Sequence, residues 1–235
     1  MASNQVLDLP LSVAASGEIV FAGDEVRLAG QIDYPTTPRP ENGYPLLFVL
    51  HHACCNSRED YADYARLALS NGYAVFRWDK RGTGRSGDSG RGSTTQDAVN
   101  AYEIALSLPD INRRSTVILA VAAGSALLGS SFGLFARTQT PSGVLLVANM
   151  LDEQAILALD TRVKIVMSPE DWNPPATFGE AACASHKRAY KHGASFFLTD
   201  GGDRLLMTPD GAVQPAARKA IGDWLKSLTR RSTFN

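Results

Sequence analysis

The chain has 235 residues, 44% of them hydrophobic, which suits a single α/β globule with a sizeable core. Its 23 basic and 24 acidic side chains leave a net charge of −1, so nothing electrostatic points to nucleic acid or an anionic membrane as partner. No apolar run is long enough to span a bilayer, the N-terminus lacks the pattern of a secretion signal, and three cysteines make no disulfide framework. A cytoplasmic, reducing setting is the expectation.

In chain order, the first element is a β-hairpin within residues 1–35, with runs at 18–21 and 26–33 around Gly23-Asp24. A Pro- and Gly-rich loop leads to an apolar run over 45–50, as expected of a strand buried on both faces. Helical spacing over 58–70 closes at Asn71-Gly72, and a strand follows over 73–78. Ser93 is placed to cap a helix over 94–108, which Pro109 ends. A strand through 117–121 turns into a helix over 124–137. Strands over 144–147, 162–167 and 194–198 then alternate with a short helix at 152–159 and a longer one at 177–191. A terminal helix covers 213–230. Such alternation implies one domain over 1–235. Its mostly parallel central sheet would have about eight strands, with helices on both faces and the site at the strands' C-terminal ends.

The strand-to-helix turn at Ala120-Val121-Ala122-Ala123-Gly124 has the spacing of a G-x-S-x-G nucleophile elbow, with small residues at both flanks. Alanine occupies the position that would carry the nucleophile.

With its neighbours, this turn resembles the α/β-hydrolase superfamily, and the likeness runs over nearly the whole chain. His51-His52-Ala53 looks like the family's oxyanion loop, with His52 in place of glycine, and Asp79-Lys80-Arg81-Gly82-Thr83-Gly84-Arg85-Ser86 is similar to its D-x-R-G-x-G-x-S loop. Ser168-Pro169-Glu170-Asp171 resembles the loop bearing the acid, best matched by Asp171, with Glu170 the alternative. The histidine's place falls in Thr199 to Leu205, where Asp203 and Arg204 stand, and no histidine follows His192. The resemblance therefore implies a lid-less, esterase-like fold whose triad lacks both serine and histidine. Backbone N–H groups of Ala53 and Ala123 would remain as an oxyanion hole.

Other side chains compete for these roles. Ser125 as nucleophile would shift the elbow and put Leu127 where a small residue belongs; as a helix-start serine it makes local bonds. Cys54 and Cys55 lie beside His51 and His52, where a thiolate could form, although cysteine more often packs as a small hydrophobe. Their spacing matches no zinc pattern, and no metal or cofactor is expected. His186 and His192 read as part of a solvated basic helix face. Asp171 could share a proton with Asp203, but an ion pair with Arg204 satisfies both partners better. Trp172, with Pro174 and Pro175, could wall a ligand site. Residues 150–161 hold one short helix only, so the site is open or covered by a second copy in a homodimer.

Three functions remain in play. The first is a small carbonyl or ester-like ligand, bound or transformed without covalent chemistry. The second is a serine esterase whose nucleophile has been replaced by Ala122. The third is a non-catalytic interaction scaffold.

Overall fold

The computed structural model describes residues 13–54 and 56–232. The first twelve residues of the expected hairpin region and Cys55 lie outside them. Eight strands form one sheet: β1 (Ala15–Ala22), β2 (Arg27–Tyr34), β3 (Tyr44–Leu50), β4 (Ala74–Trp78), β5 (Ile111–Val121), β6 (Gly143–Val147), β7 (Val163–Met167) and β8 (Ala194–Leu198). Their spatial order is β1-β2-β4-β3-β5-β6-β7-β8. The β1–β2 hairpin and the β2–β4 pair are antiparallel, and every other pairing is parallel.

Side-chain alternation divides each central strand between two cores. Leu46, Phe48 and Leu50 of β3 join Ile118 and Ala120 of β5 on the face that receives α2 (Thr94–Ser107) and α3 (Ala123–Gln139). Leu47 and Val49 join Val117, Leu119 and Val121 on the other face, under α1 (Ala62–Leu69) and α5 (Pro215–Ser232). Complete burial of β3 explains its unbroken apolar run.

One charged side chain crosses this core. Arg77 of β4 is fully buried, pairs with Asp33 at 2.8 Å and donates to the Arg58 carbonyl at 2.9 Å. Arg58 donates in turn to the Gly30 carbonyl at 3.1 Å. The network ties the antiparallel edge to the parallel sheet.

Three helices differ from the spacing's prediction, the one over 58–70 opening as a 3₁₀ turn, Arg58–Tyr61, ahead of α1. The short helix at 152–159 is a single 3₁₀ turn, Ala155–Ala158; Asp152 caps it through Gln154 and Ala155 N–H. The helix at 177–191 opens as a π turn, Ala176–Ala181, and continues as α4 (Ala182–Ala189). Tyr190 is already extended, so His192 lies beyond the helix end. The solvated basic face is also corrected at His186, which is wholly buried and bonds to the Leu159 carbonyl at 2.8 Å.

Candidate functional site

The turn from β5 into α3 is the elbow that the spacing predicts. Ala122 has φ 47° and ψ −110°, outside the allowed left-handed basin for a residue bearing Cβ. Conformations of this kind cost about 1–3 kcal/mol and persist where the surroundings impose them. Here Ala122 N–H donates to the Val147 carbonyl at 2.9 Å, and its own carbonyl accepts from Ser125 N–H at 2.8 Å. Gly124 lets α3 approach β3, since a Cβ there would meet the Leu50 and His51 carbonyl oxygens at 2.5 and 2.9 Å.

Ser125 is a bracing residue. Its buried Oγ donates to the Ala122 carbonyl at 2.6 Å and accepts from Met150 N–H at 3.0 Å. Ala122 is fully buried.

The loop after β4 folds around its own aspartate. Buried Asp79 accepts from Arg58 N–H at 2.8 Å and Arg85 N–H at 3.0 Å, and Gly84, at φ 52°, leaves room for its carboxylate. Arg81 reaches both oxygens of Asp97 on α2, at 2.9 and 3.0 Å. Lys80 turns the other way and donates to the His52 carbonyl at 2.7 Å.

The loop after β3 departs from the expected oxyanion hole. His52 N–H donates to the Tyr61 hydroxyl at 2.6 Å, and Ala53 N–H donates to His52 Nδ1 at 2.7 Å. The loop's expected oxyanion donor is therefore engaged within the chain. Ala123, at the head of α3, is among the residues whose N–H has no partner inside its helix. Burial, then the Arg204 and Lys80 cations, push the His52 pKa down. His51 is buried between Tyr61 and Trp78, and desolvation pushes its pKa down to about 3. It is neutral, with Nε2–H on the Trp78 carbonyl at 2.6 Å.

The loops after β7 and β8, which the resemblance reads as the acid and histidine loops, meet. Ser168 Oγ donates to the Gly202 carbonyl at 2.6 Å and joins the two loops. The Asp171 side chain is fully buried, and Arg204 Nε lies 3.5 Å from its Oδ1. Desolvation pushes the Asp171 carboxyl up, against the pull of Asn173 N–H and Arg204. Glu170 points to exposed surface. Asp203 is not paired with Asp171; its Oδ1 accepts from Leu205 and Met207 N–H at 2.8 Å each, shaping the turn that presents Arg204. The Arg204 guanidinium carbon sits 4.1 Å from the centre of the Trp172 ring, and Trp172 is 78% exposed.

Cys54 is exposed and free. Among the described residues no group of three or more His, Cys, Asp or Glu could hold a metal, and no helix is long and apolar enough to cross a membrane. Tyr61, Lys80 and Asn149 were not singled out from the sequence. Asn149 bridges the loops after β6 and β7, donating to the Leu151 and Phe178 carbonyls at 2.8 and 2.6 Å and accepting from Asn173 on its own carbonyl at 2.9 Å. Lys80 occupies a variable position inside the loop motif, which gives no signal for its contact with His52. Tyr61 reads as one more residue of an apolar helix face.

No protein family matches the sequence, and no curated protein does. Solved structures do resemble the chain. The esterase domain of a Rhodothermus marinus protein has a TM-score of 0.64 at 20% identity, over 91% of this chain and 99% of that one. A Pyrococcus furiosus esterase has a TM-score of 0.68 at 14% identity, over 92% and 93%. A predicted CIB-like hydrolase from Thermoplasma acidophilum gives 0.63 at 16% identity, over 91% and 99%. At such identities the likeness establishes the fold. The chain is an α/β-hydrolase-fold protein, and its chemistry must be read from its own site.

Proposed function

We propose that this chain is a non-hydrolytic protein on the hydrolase fold, binding a small carbonyl or ester-like compound at the mouth framed by His52, Trp172 and Arg204. The observation that carries the reading is the Asp171–Arg204 pair. A hydroxyl nucleophile needs a base oriented by a third group, and the group held by the acid here is a guanidinium, which does not accept a proton. Ala122 supplies no oxygen, and Ser125 Oγ is committed to the backbone. What remains are donors for a carbonyl oxygen: Ala123 N–H, and Ala53 N–H once His52 releases it.

The test is hydrolysis of p-nitrophenyl acetate against a buffer blank, with and without thiol alkylation, beside thermal shifts with small esters and amides. The expected result is no turnover above the blank, and a midpoint that rises with ligand as RT ln(1 + [L]/Kd). Turnover would overturn the reading, and its loss on alkylation would assign the nucleophile to Cys54 or Cys55.

One observation favours a second reading. Ala122 keeps a strained elbow conformation that serves no purpose for a methyl group. A serine esterase whose nucleophile was replaced by alanine would look the same at this residue, and Ala122→Ser would then restore turnover by itself.

A further inference from the structure

Arg204 is held on two sides. Its Nε faces Asp171 Oδ1 at 3.5 Å, sealed from water, and its Cζ lies 4.1 Å from the Trp172 ring centre. A guanidinium fixed by a buried carboxylate and an indole has already lost most of the freedom that binding would otherwise remove. Its two Nη groups make no hydrogen bond among the described residues, and the side chain is 11% exposed. They form a planar fork whose hydrogen-bonding capacity the described residues leave unused.

Two cations bear on His52 beside the fork. Lys80 Nζ lies on the His52 carbonyl at 2.7 Å, and Arg204 and Lys80 both disfavour a proton on His52. The nearby Asp203 carboxylate is turned into its own loop, and Asp171 is behind the guanidinium. Beside the fork, most of the Trp172 surface is open.

From this geometry we infer that the ligand is a small carboxylate, its two oxygens on the Arg204 Nη groups and its apolar tail against Trp172. A carboxylate matches a guanidinium fork with two parallel charge-assisted bonds, whereas an ester or amide offers one neutral acceptor. The inference rests on the binding reading above and narrows it.

Calorimetric titration with 3-phenylpropanoate, its amide and its methyl ester tests both. The carboxylate should bind roughly tenfold or more tighter than the amide, the scale of a charge-assisted bond. Arg204→Gln should abolish that preference. Arg204→Lys keeps a cation beside Asp171, protecting the fold, and should reduce the preference because the fork is gone. Trp172→Ala should weaken both probes while leaving their ratio. Equal affinities for carboxylate and amide, or a ratio unchanged in Arg204→Lys, would overturn the carboxylate assignment. Binding of amide and ester without the carboxylate would overturn it too, yet leave the binding reading standing. Hydrolysis of the methyl ester, or silence from all three probes, would remove both.

Discussion

If Arg204 occupies the place of a catalytic histidine, two substitutions should rebuild what neither provides alone. Ala122→Ser puts a hydroxyl on the elbow, and Arg204→His puts an imidazole where the present side chain lies 3.5 Å from Asp171. General-base assistance contributes about 10²–10⁴ in rate, and members of a serine–histidine–acid unit lose nearly everything when either partner is missing. Both single variants should therefore stay at the background of the unsubstituted chain. The double variant should exceed it by about 100-fold or more, a coupling of about 2.7 kcal/mol. Initial rates with p-nitrophenyl acetate, for all four proteins, give the cycle directly. Ala122→Ser/Arg204→Gln is the control that removes the cation without supplying a base, and it should remain silent. In the active double variant the rate should fall as pH drops through the new imidazole's pKa. Activity of Ala122→Ser equal to that of the double variant would refute the reasoning, because another base, such as His52, would then serve the elbow.

Four further outcomes test the scaffold by chemical denaturation. Gly124→Ala should destabilise by about 1–3 kcal/mol, since its Cβ meets two backbone oxygens that cannot move aside; Gly133→Ala in the same helix meets nothing within 4 Å and should stabilise by about 0.5–1 kcal/mol. Ala122→Gly should be neutral or stabilising by up to about 1 kcal/mol, the reverse of the usual sign, because glycine tolerates the positive φ. Finally, His51 has a folded pKa of about 3 against an ordinary value of 6.5, so between them the unfolded state binds the extra proton. Its contribution is complete above pH 6.5 and falls with pH by up to about 1.4 kcal/mol per unit towards 3. His51→Gln should flatten that slope, leaving the parts due to His52 and His186, which are lowered as well; an unchanged slope would mean His51 is not the group being titrated.

Much of the sheet could be read from the chain because its signals are local. Buried runs such as 45–50 and the punctuation of Asn71-Gly72 and Ser93 mark elements that tertiary contacts then confirm. The elbow was legible through Gly124, whose smallness answers to a carbonyl 74 residues earlier in the chain but whose spacing from Ala122 is local. His186 was misread because Lys187 and Arg188 make its helix look solvated, while its burial depends on the distant Leu159 carbonyl. The spent oxyanion donor was equally hidden: nothing in His51-His52-Ala53 announces that His52 will turn its ring back onto the next N–H. The Asp171–Arg204 pair was foreseeable, because charge balance allows few partners for a buried acid, but the stacking on Trp172 needed the geometry.

Several residues of the candidate site also hold the fold. Gly124 sets the distance between α3 and β3, Ser125 ties the elbow to Met150, Asp79 organises the loop after β4, and Ser168 joins the acid loop to Gly202. Losing any of them would leave a clash or an unpaired buried group. Serine at 122 and histidine at 204 carry no such duty, since the elbow's backbone bonds run through Ala122 N–H and carbonyl whatever its side chain. On the proposed reading, exchange of those two side chains would remove hydrolysis and leave the scaffold intact. Arginine at 204 gives Asp171 an ion-pair partner at 3.5 Å, although Asp171 Oδ2 keeps no hydrogen bond, and it adds something an imidazole lacks: two Nη groups beyond the Nε that faces the acid. On the proposed reading, the side chain that would close the hydrolytic route would also provide the binding fork.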